Sequence, residues 1–300
     1  MPETPEEIIL PEAATERTLA GEARRFPALL QLGLLACLLV LLFAGLVGPY
    51  IWKNQIPVVP TTAILPVPAN TPSLAIIPTI SALPLQARAV YVYDVATSRA
   101  LYEKNPDRVL PLASITKLMT TLVAHNLIAD DTNIRIPEAA MQVQSGSGLT
   151  AGEVMTHEAL QSYAMMASSN DAAYSLAAAA GALLTDSTNN LGTFVAAMNI
   201  TADDLGLSSL KFYNATGLDL SPTEAGAYGS ARDVTFLLEH ILKSAPSLLL
   251  TTTESNNRIY NATGAYHEAE NTNPTIKKIP NLLGSKTGYT ELAGGNLTIV

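Results

Sequence analysis

Cysteine, tryptophan and positive charge are all scarce in this chain of 300 residues. The single cysteine, Cys37, excludes an intramolecular disulfide framework and a Cys-rich zinc site. Lysine and arginine total 17 against 26 acidic residues, a net charge of -9. That balance argues against a nucleic-acid partner, whose phosphates need basic groups to neutralise them. Charged residues make up only 14% and hydrophobic ones 48%, so disorder throughout is excluded and a real core can be buried. The four histidines, His125, His157, His240 and His267, have no metal-ligand spacing, and no metal or cofactor is expected.

What the chain does have is one long uncharged run. No charged residue occurs between Pro27 and Trp52, and its Leu-rich core is about the length that spans a bilayer. Arg24 and Arg25 precede it; Tyr50 and Trp52 follow it at the place of interfacial aromatics. The run is too long for the apolar region of a cleaved signal peptide and ends without a small-x-small site. The expectation is a single transmembrane helix at 27–52, with the membrane held by 28–50, a cytoplasmic tail at 1–26, and everything after it outside the cytoplasm. Residues 53–87 carry seven prolines and, after Lys53, no charge, which predicts an extended spacer that holds a domain off the membrane.

Composition changes at Arg88, where a domain over 88–300 is expected. Residues 89–94 and 99–103 predict a hairpin around Ala96-Thr-Ser98. Helices are expected from near Ser114 to Asn126 and at 157–167, 171–184, 191–204 and 231–243. Strands are expected at 282–289 and 296–300, around a Gly294-Gly295 turn. Strands at both ends with helices between them give an α+β class, the terminal strands sharing one sheet beside a helical cluster.

Three motifs follow in order: Ser114-Ile-Thr-Lys117, Ser168-Ser-Asn170 and Lys286-Thr287-Gly288. Decoys exist for the first two. Ser208-Ser-Leu-Lys211 also fits Ser-x-x-Lys, and Ser187-Thr-Asn189 and Ser255-Asn-Asn257 fit Ser-x-Asn. Context favours Ser114, which follows a proline and opens a long apolar helix. A serine hydroxyl needs a neighbouring base, and a lysine one turn along the same helix face can be that base if burial or positive charge destabilises its ammonium. The helix N-terminus offers N–H groups to an oxyanion. Ser168 can relay a proton to a leaving amine, and Asn170 can position Lys117 and a substrate amide. Lys286 and Thr287 suit a carboxylate, and Gly288 would let a peptide lie against its strand. Asp94, Asp171 and Asp219 read as turn or cap residues.

These motifs, together with 111–120, 168–173, Asn214-Ala-Thr-Gly-Leu-Asp219, 230–233 and 286–290, give the chain a strong resemblance to the serine-type D-Ala-D-Ala carboxypeptidases, the low-molecular-mass penicillin-binding proteins. The resemblance covers roughly 88–300 and implies a β-lactamase/transpeptidase-like fold. It implies acylation of Ser114 with Lys117 as base, and a second wall from Ser168 and Asn170. Lys286, Thr287 and Gly288 would form a third, with an oxyanion hole from the backbone N–H groups of Ser114 and Tyr289. The implied partners are peptidoglycan stem peptides, with β-lactams as covalent inhibitors. A D,D-endopeptidase uses the same machinery. A class A β-lactamase is the rival, but no Glu-x-x-Leu-Asn run lies between Asn170 and Lys286. A non-catalytic peptidoglycan-binding protein is the reading from another class. The resemblance also implies a further strand, a closing helix and a basic substrate-binding residue after residue 300.

Overall fold

A computed structural model describes residues 84–185 and 188–300. The expected tail and transmembrane helix, and the expected spacer up to residue 83, lie outside the described residues. Among the described residues no helix is long and apolar enough to cross a membrane.

In chain order the elements are β1 (Val90–Asp94), β2 (Arg99–Lys104), β3 (Leu110–Pro111), a 3-10 turn (Ala113–Thr116) and α1 (Lys117–Leu127). Then come β4 (Asn133–Arg135), β5 (Val154–Thr156), α2 (His157–Met166), α3 (Asn170–Leu184) and α4 (Asn190–Asp204). β6 (Lys211–Phe212), β7 (Ala227–Gly229) and α5 (Ala231–Ser244) follow, then β8 (Asn256–Tyr260), β9 (Tyr266–Glu270), β10 (Ser285–Thr290) and β11 (Gly294–Ile299).

α1 is the centre of the core. Leu118, Met119, Leu122, Val123 and Ala124 are buried on it, so it is apolar around most of its circumference. α3 packs beside it through small residues, among them Ala172, Ala173, Ala177 and Ala180. Close approach is enforced at Gly181, where a β-carbon would stand 2.1 Å from the Asn190 carbonyl oxygen. α5 has a one-sided stripe, Val234, Leu237, Leu238 and Ile241, at the spacing of one helical face. Side chains cap the helix starts: Thr156 for α2, Ser169 for α3, Asn189 for α4 and Ser230 for α5.

The terminal strands pair differently from the expectation. β1 pairs with β2 and β10 with β11, each as a separate antiparallel sheet, so the terminal strands do not share one hydrogen-bonded sheet. Side chains join them instead. Phe236 of α5 meets Tyr91 and Tyr93 of β1 edge-on, at 5.9 and 5.3 Å between ring centres. The Arg88 guanidinium donates to the Ala293 carbonyl at 2.8 Å. The turn between β10 and β11 is Glu291–Ala293, not Gly294-Gly295. Gly294 opens β11 at φ 66°, the left-handed residue that ends a three-residue hairpin loop. The first hairpin matches the expectation, with Asp94 accepting from the Ala96 and Thr97 N–H groups at 2.9 and 3.3 Å.

The sequence reading missed the hairpin β8–β9, the pair β4–β5 and the small sheet β3–β7–β6. The last one matters for the site, because it anchors the chain just before the 3-10 turn: the Leu112 N–H donates to the Ala227 carbonyl at 3.0 Å.

Candidate active site

The first motif does not open directly as an α-helix. Ala113 takes a positive φ of 49°, and Ala113–Thr116 form a 3-10 turn before α1 begins at Lys117. In a 3-10 turn residues i and i+3 eclipse, which brings Ser114 and Lys117 onto one line. The Lys117 Nζ lies 2.8 Å from Ser114 Oγ. It also lies 2.7 Å from Asn170 Oδ1 and 2.9 Å from the Thr216 carbonyl oxygen.

These three contacts accommodate a neutral amine as well as an ammonium. Asn170 Oδ1 and the Thr216 carbonyl can only accept, so they take the two N–H bonds of a neutral lysine. The lone pair then faces Ser114, whose hydroxyl can donate. Lys117 is wholly buried. Burial first, and the positive charge of Lys286 second, push its ammonium well below the ordinary lysine range, while Asp171 pulls the other way.

Lys286, on β10, is 1% exposed, and burial lowers its pKa to about 7. Its Nζ donates to Ser168 Oγ at 2.9 Å and to the Thr287 carbonyl at 3.0 Å. Ser168 sits between α2 and α3 at φ 58°, a strained backbone for a serine that turns its side chain toward β10. The three motifs thus form a trio, Lys117 with Ser114 and Asn170, and a pair, Lys286 with Ser168.

Thr287 does not stand alone. Its hydroxyl shares a 2.5 Å hydrogen bond with the Thr272 hydroxyl, giving two hydroxyls at the cleft margin where the sequence reading had one. Gly288 also has a packing role that its motif does not announce. A β-carbon there would stand 2.8 Å from the Ser114 nitrogen and 3.0 Å from the Ile115 nitrogen, so the glycine is demanded by β10 packing on the nucleophile turn itself.

The segment Asn214–Asp219 is a fourth part of the site. Asn214 Oδ1 accepts from the Thr216 and Gly217 N–H groups at 3.1 and 2.7 Å, which shapes the turn that presents the Thr216 carbonyl to Lys117. Gly217, at φ 81°, passes so close that a β-carbon would lie 1.9 Å from the Ala113 carbonyl oxygen. Thr216 acts through its backbone, so only the Asn-Ala-Thr-Gly run could have signalled it. Asp219 is not merely a turn residue: it accepts from the Thr290 hydroxyl at 3.0 Å and so clamps the end of β10. Asp171 also exceeds a cap, since its carboxylate accepts from the Ser147 N–H at 3.0 Å and the Ser147 hydroxyl at 2.5 Å.

The decoys stay apart from this cluster. Ser208 and Lys211 are exposed on the surface; Asn189 caps α4, and Asn256 and Asn257 begin β8. Among the described residues no group of three His, Cys, Asp or Glu side chains is placed to hold a metal ion.

A serine activated by a buried lysine, between helices and the edge of an antiparallel hairpin, defines the serine-type acyl-transfer enzymes whose nucleophile and base share one helix turn. Within that class, residues 77–300 match the D-alanyl-D-alanine carboxypeptidase model of peptidase family S11, and the chain belongs to that family. It is 32% identical to the D-alanyl-D-alanine carboxypeptidase DacF of Bacillus subtilis over 70% of this chain and 52% of that protein. It is also 32% identical to a D-alanyl-D-alanine endopeptidase of Pseudomonas aeruginosa over 72% of this chain and 69% of that protein. The chain therefore spans about half the length of the Bacillus relative. Among solved structures it is similar to penicillin-binding protein D2 of Listeria monocytogenes in its cefotaxime-bound form, with 31% identity and a TM-score of 0.59 over 71% of this chain and 83% of that one.

Proposed function

We propose that this chain is a serine-type D-alanyl-D-alanine carboxypeptidase that trims peptidoglycan stem peptides through an acyl-enzyme on Ser114. The observation that carries the reading is the arrangement of Lys117, buried and held between two acceptors with its remaining contact on the Ser114 hydroxyl. In acylation Lys117 takes the hydroxyl proton as Ser114 Oγ bonds to the carbonyl carbon of the terminal D-Ala-D-Ala amide. The oxyanion forms against the N–H groups of Ser114 and Tyr289. Ser168, tied to Lys286, passes its proton to the leaving nitrogen and is refilled by the proton that Lys117 took, and D-alanine departs as the C–N bond breaks. Water then cleaves the Ser114 ester, returning the hydroxyl proton. Asn170 holds the base in line. The field of Lys286 and the hydroxyl of Thr287 receive the substrate carboxylate.

The test is product analysis with a muropeptide pentapeptide. Release of one D-alanine, lost in Ser114→Ala, is expected. The name of the Pseudomonas relative favours a second reading, D,D-endopeptidase action, which would instead convert a cross-linked muropeptide dimer to monomers. β-Lactams of the kind bound to the Listeria neighbour would acylate the same serine. Well-folded protein that takes no fluorescent penicillin would favour a non-catalytic wall-binding role.

Residues 28–50 are read as a membrane anchor that places the domain outside the cytoplasmic membrane, supported by the length of the uncharged run and its flanking arginines. Protease added to spheroplasts should release the domain by cutting within 54–87. Protection of that region until lysis would refute the orientation.

A further inference from the structure

We infer that Tyr163 is a positioning residue for the reaction, acting through the Ser147 carbonyl and the Asn170 amide on Lys117; the inference rests on the acyl-enzyme reading above. The segment 144–149 lies outside every helix and strand, with Ser145 at φ 54° and Gly148 at φ 93°. Side chains from α2 and α3 hold it. The Asn170 Nδ2 donates to the Gln144 carbonyl at 2.9 Å and more weakly to that of Ser145 at 3.4 Å. Asp171 accepts from Ser147 and, at 3.4 Å, from the Leu149 N–H. The Tyr163 hydroxyl donates to the Ser147 carbonyl at 2.5 Å.

Asn170 transmits the position of this segment. Its amide is oriented by two opposite demands: Oδ1 must face the Lys117 nitrogen at 2.7 Å, and Nδ2 must face the Gln144 carbonyl. If the segment drifts, Nδ2 loses its acceptor. The amide can then rotate and point a donor at Lys117, which is itself donating there. A small movement at Ser147 therefore reaches the general base through one side chain.

Tyr163 is well placed to prevent that movement. It is 3% exposed, and its ring stacks on His267 at 5.7 Å between centres. His267 Nε2 is held 2.7 Å from Glu153, whose carboxylate also accepts from Asn261 Nδ2 at 2.8 Å. The ring thus lies between α2 and the β8–β9 hairpin, and its hydroxyl reaches the segment. A phenylalanine would keep the packing and lose that one contact.

The experiment uses the full chain with Tyr163→Phe, alone and combined with Asn170→Ala. Two quantities are read: hydrogen exchange of the Ser147 and Leu149 amides, and the rate of acylation by a fluorescent penicillin. Tyr163→Phe should raise exchange at both amides and slow acylation about ten-fold, the effect of one hydrogen bond. In the Asn170→Ala background it should change the acylation rate little, because the amide it acts through is gone. A purely structural tyrosine would slow both backgrounds alike, and that result would overturn the inference. So would unchanged exchange in Tyr163→Phe. If the parent chain takes no penicillin, the acyl-enzyme reading fails on its own, and the exchange measurement still decides whether Tyr163 holds the segment.

Discussion

Gly288 and Ser114 meet backbone to backbone, with room for no β-carbon between them: one built at position 288 would lie 2.8 Å from the Ser114 nitrogen. Gly288→Ala must therefore push β10 and the 3-10 turn apart. That displaces the Ser114 N–H, a proposed oxyanion donor, and a lost donor of this kind costs about 100-fold or more in rate. Acylation by penicillin should fall by that order while circular dichroism stays native. Parent-like acylation in Gly288→Ala would show that the turn yields without cost, and that Ser114 is not placed by this contact.

Ser114→Ala should abolish acylation. Lys117→Ala should lose nearly as much, because a nucleophile and its base fail as a unit. Ser208→Ala and Lys211→Ala should react as the parent does, since both side chains are exposed on the surface. Mass spectrometry of the penicillin adduct checks each variant. An adduct on Ser208 would overturn the assignment.

Two lysines with lowered pKa values set the pH dependence. Acylation needs Lys117 neutral, and burial with help from Lys286 places its deprotonation well below the ordinary lysine range, so the rate rises on the acid side. In the proposed mechanism Lys286 must stay charged to hold a carboxylate, and burial brings its pKa to about 7. The second-order acylation rate of the free enzyme should therefore fall as the pH climbs through about 7. Lys286→Arg keeps the charge and should remove that falling limb, even if the rate is lower overall. A falling limb that persists in Lys286→Arg would assign it to another group.

Much of this site is legible in the sequence because its chemistry depends on side chains at fixed spacings. Ser114, Lys117, Ser168, Asn170 and Lys286 are brought together as their motifs predict. The long helices are legible too, since each has an apolar face or a run of small residues. What escaped is carried by backbone or by tertiary contact. The Thr216 carbonyl leaves no residue-type signal. The Thr272–Thr287 pair joins two segments whose approach no local pattern encodes. Gly288 is expected to make room for a ligand, and its lack of a β-carbon also lets β10 pack on the turn that carries Ser114. The sheet was misjudged for a related reason: alternating residues announce a strand, but they do not say which edge it pairs with.

The last prediction concerns acid stability, away from the reacting groups. His157 opens α2 with no exposed surface, and its Nδ1 lies 3.5 Å from the Asp130 carboxylate. Gln161 Nε2 is 3.2 Å from the same nitrogen, and the other ring nitrogen has no partner among the described residues. Burial lowers the pKa of His157 from 6.5 to about 4, with Asp130 opposing the shift and His125 adding to it. Between those two values the unfolded chain holds a proton that the folded chain refuses. Folding stability must therefore rise with pH across that window and level off above it. A shift of this size corresponds to about 3 kcal/mol, fully lost below the folded pKa. Urea unfolding at about pH 4.5, 5.5 and 7.5 should show the rise in the parent. His157→Phe keeps a ring without a titrating nitrogen and should flatten the profile over the same interval. A His157→Phe variant as pH-sensitive as the parent would place the acid lability in other groups.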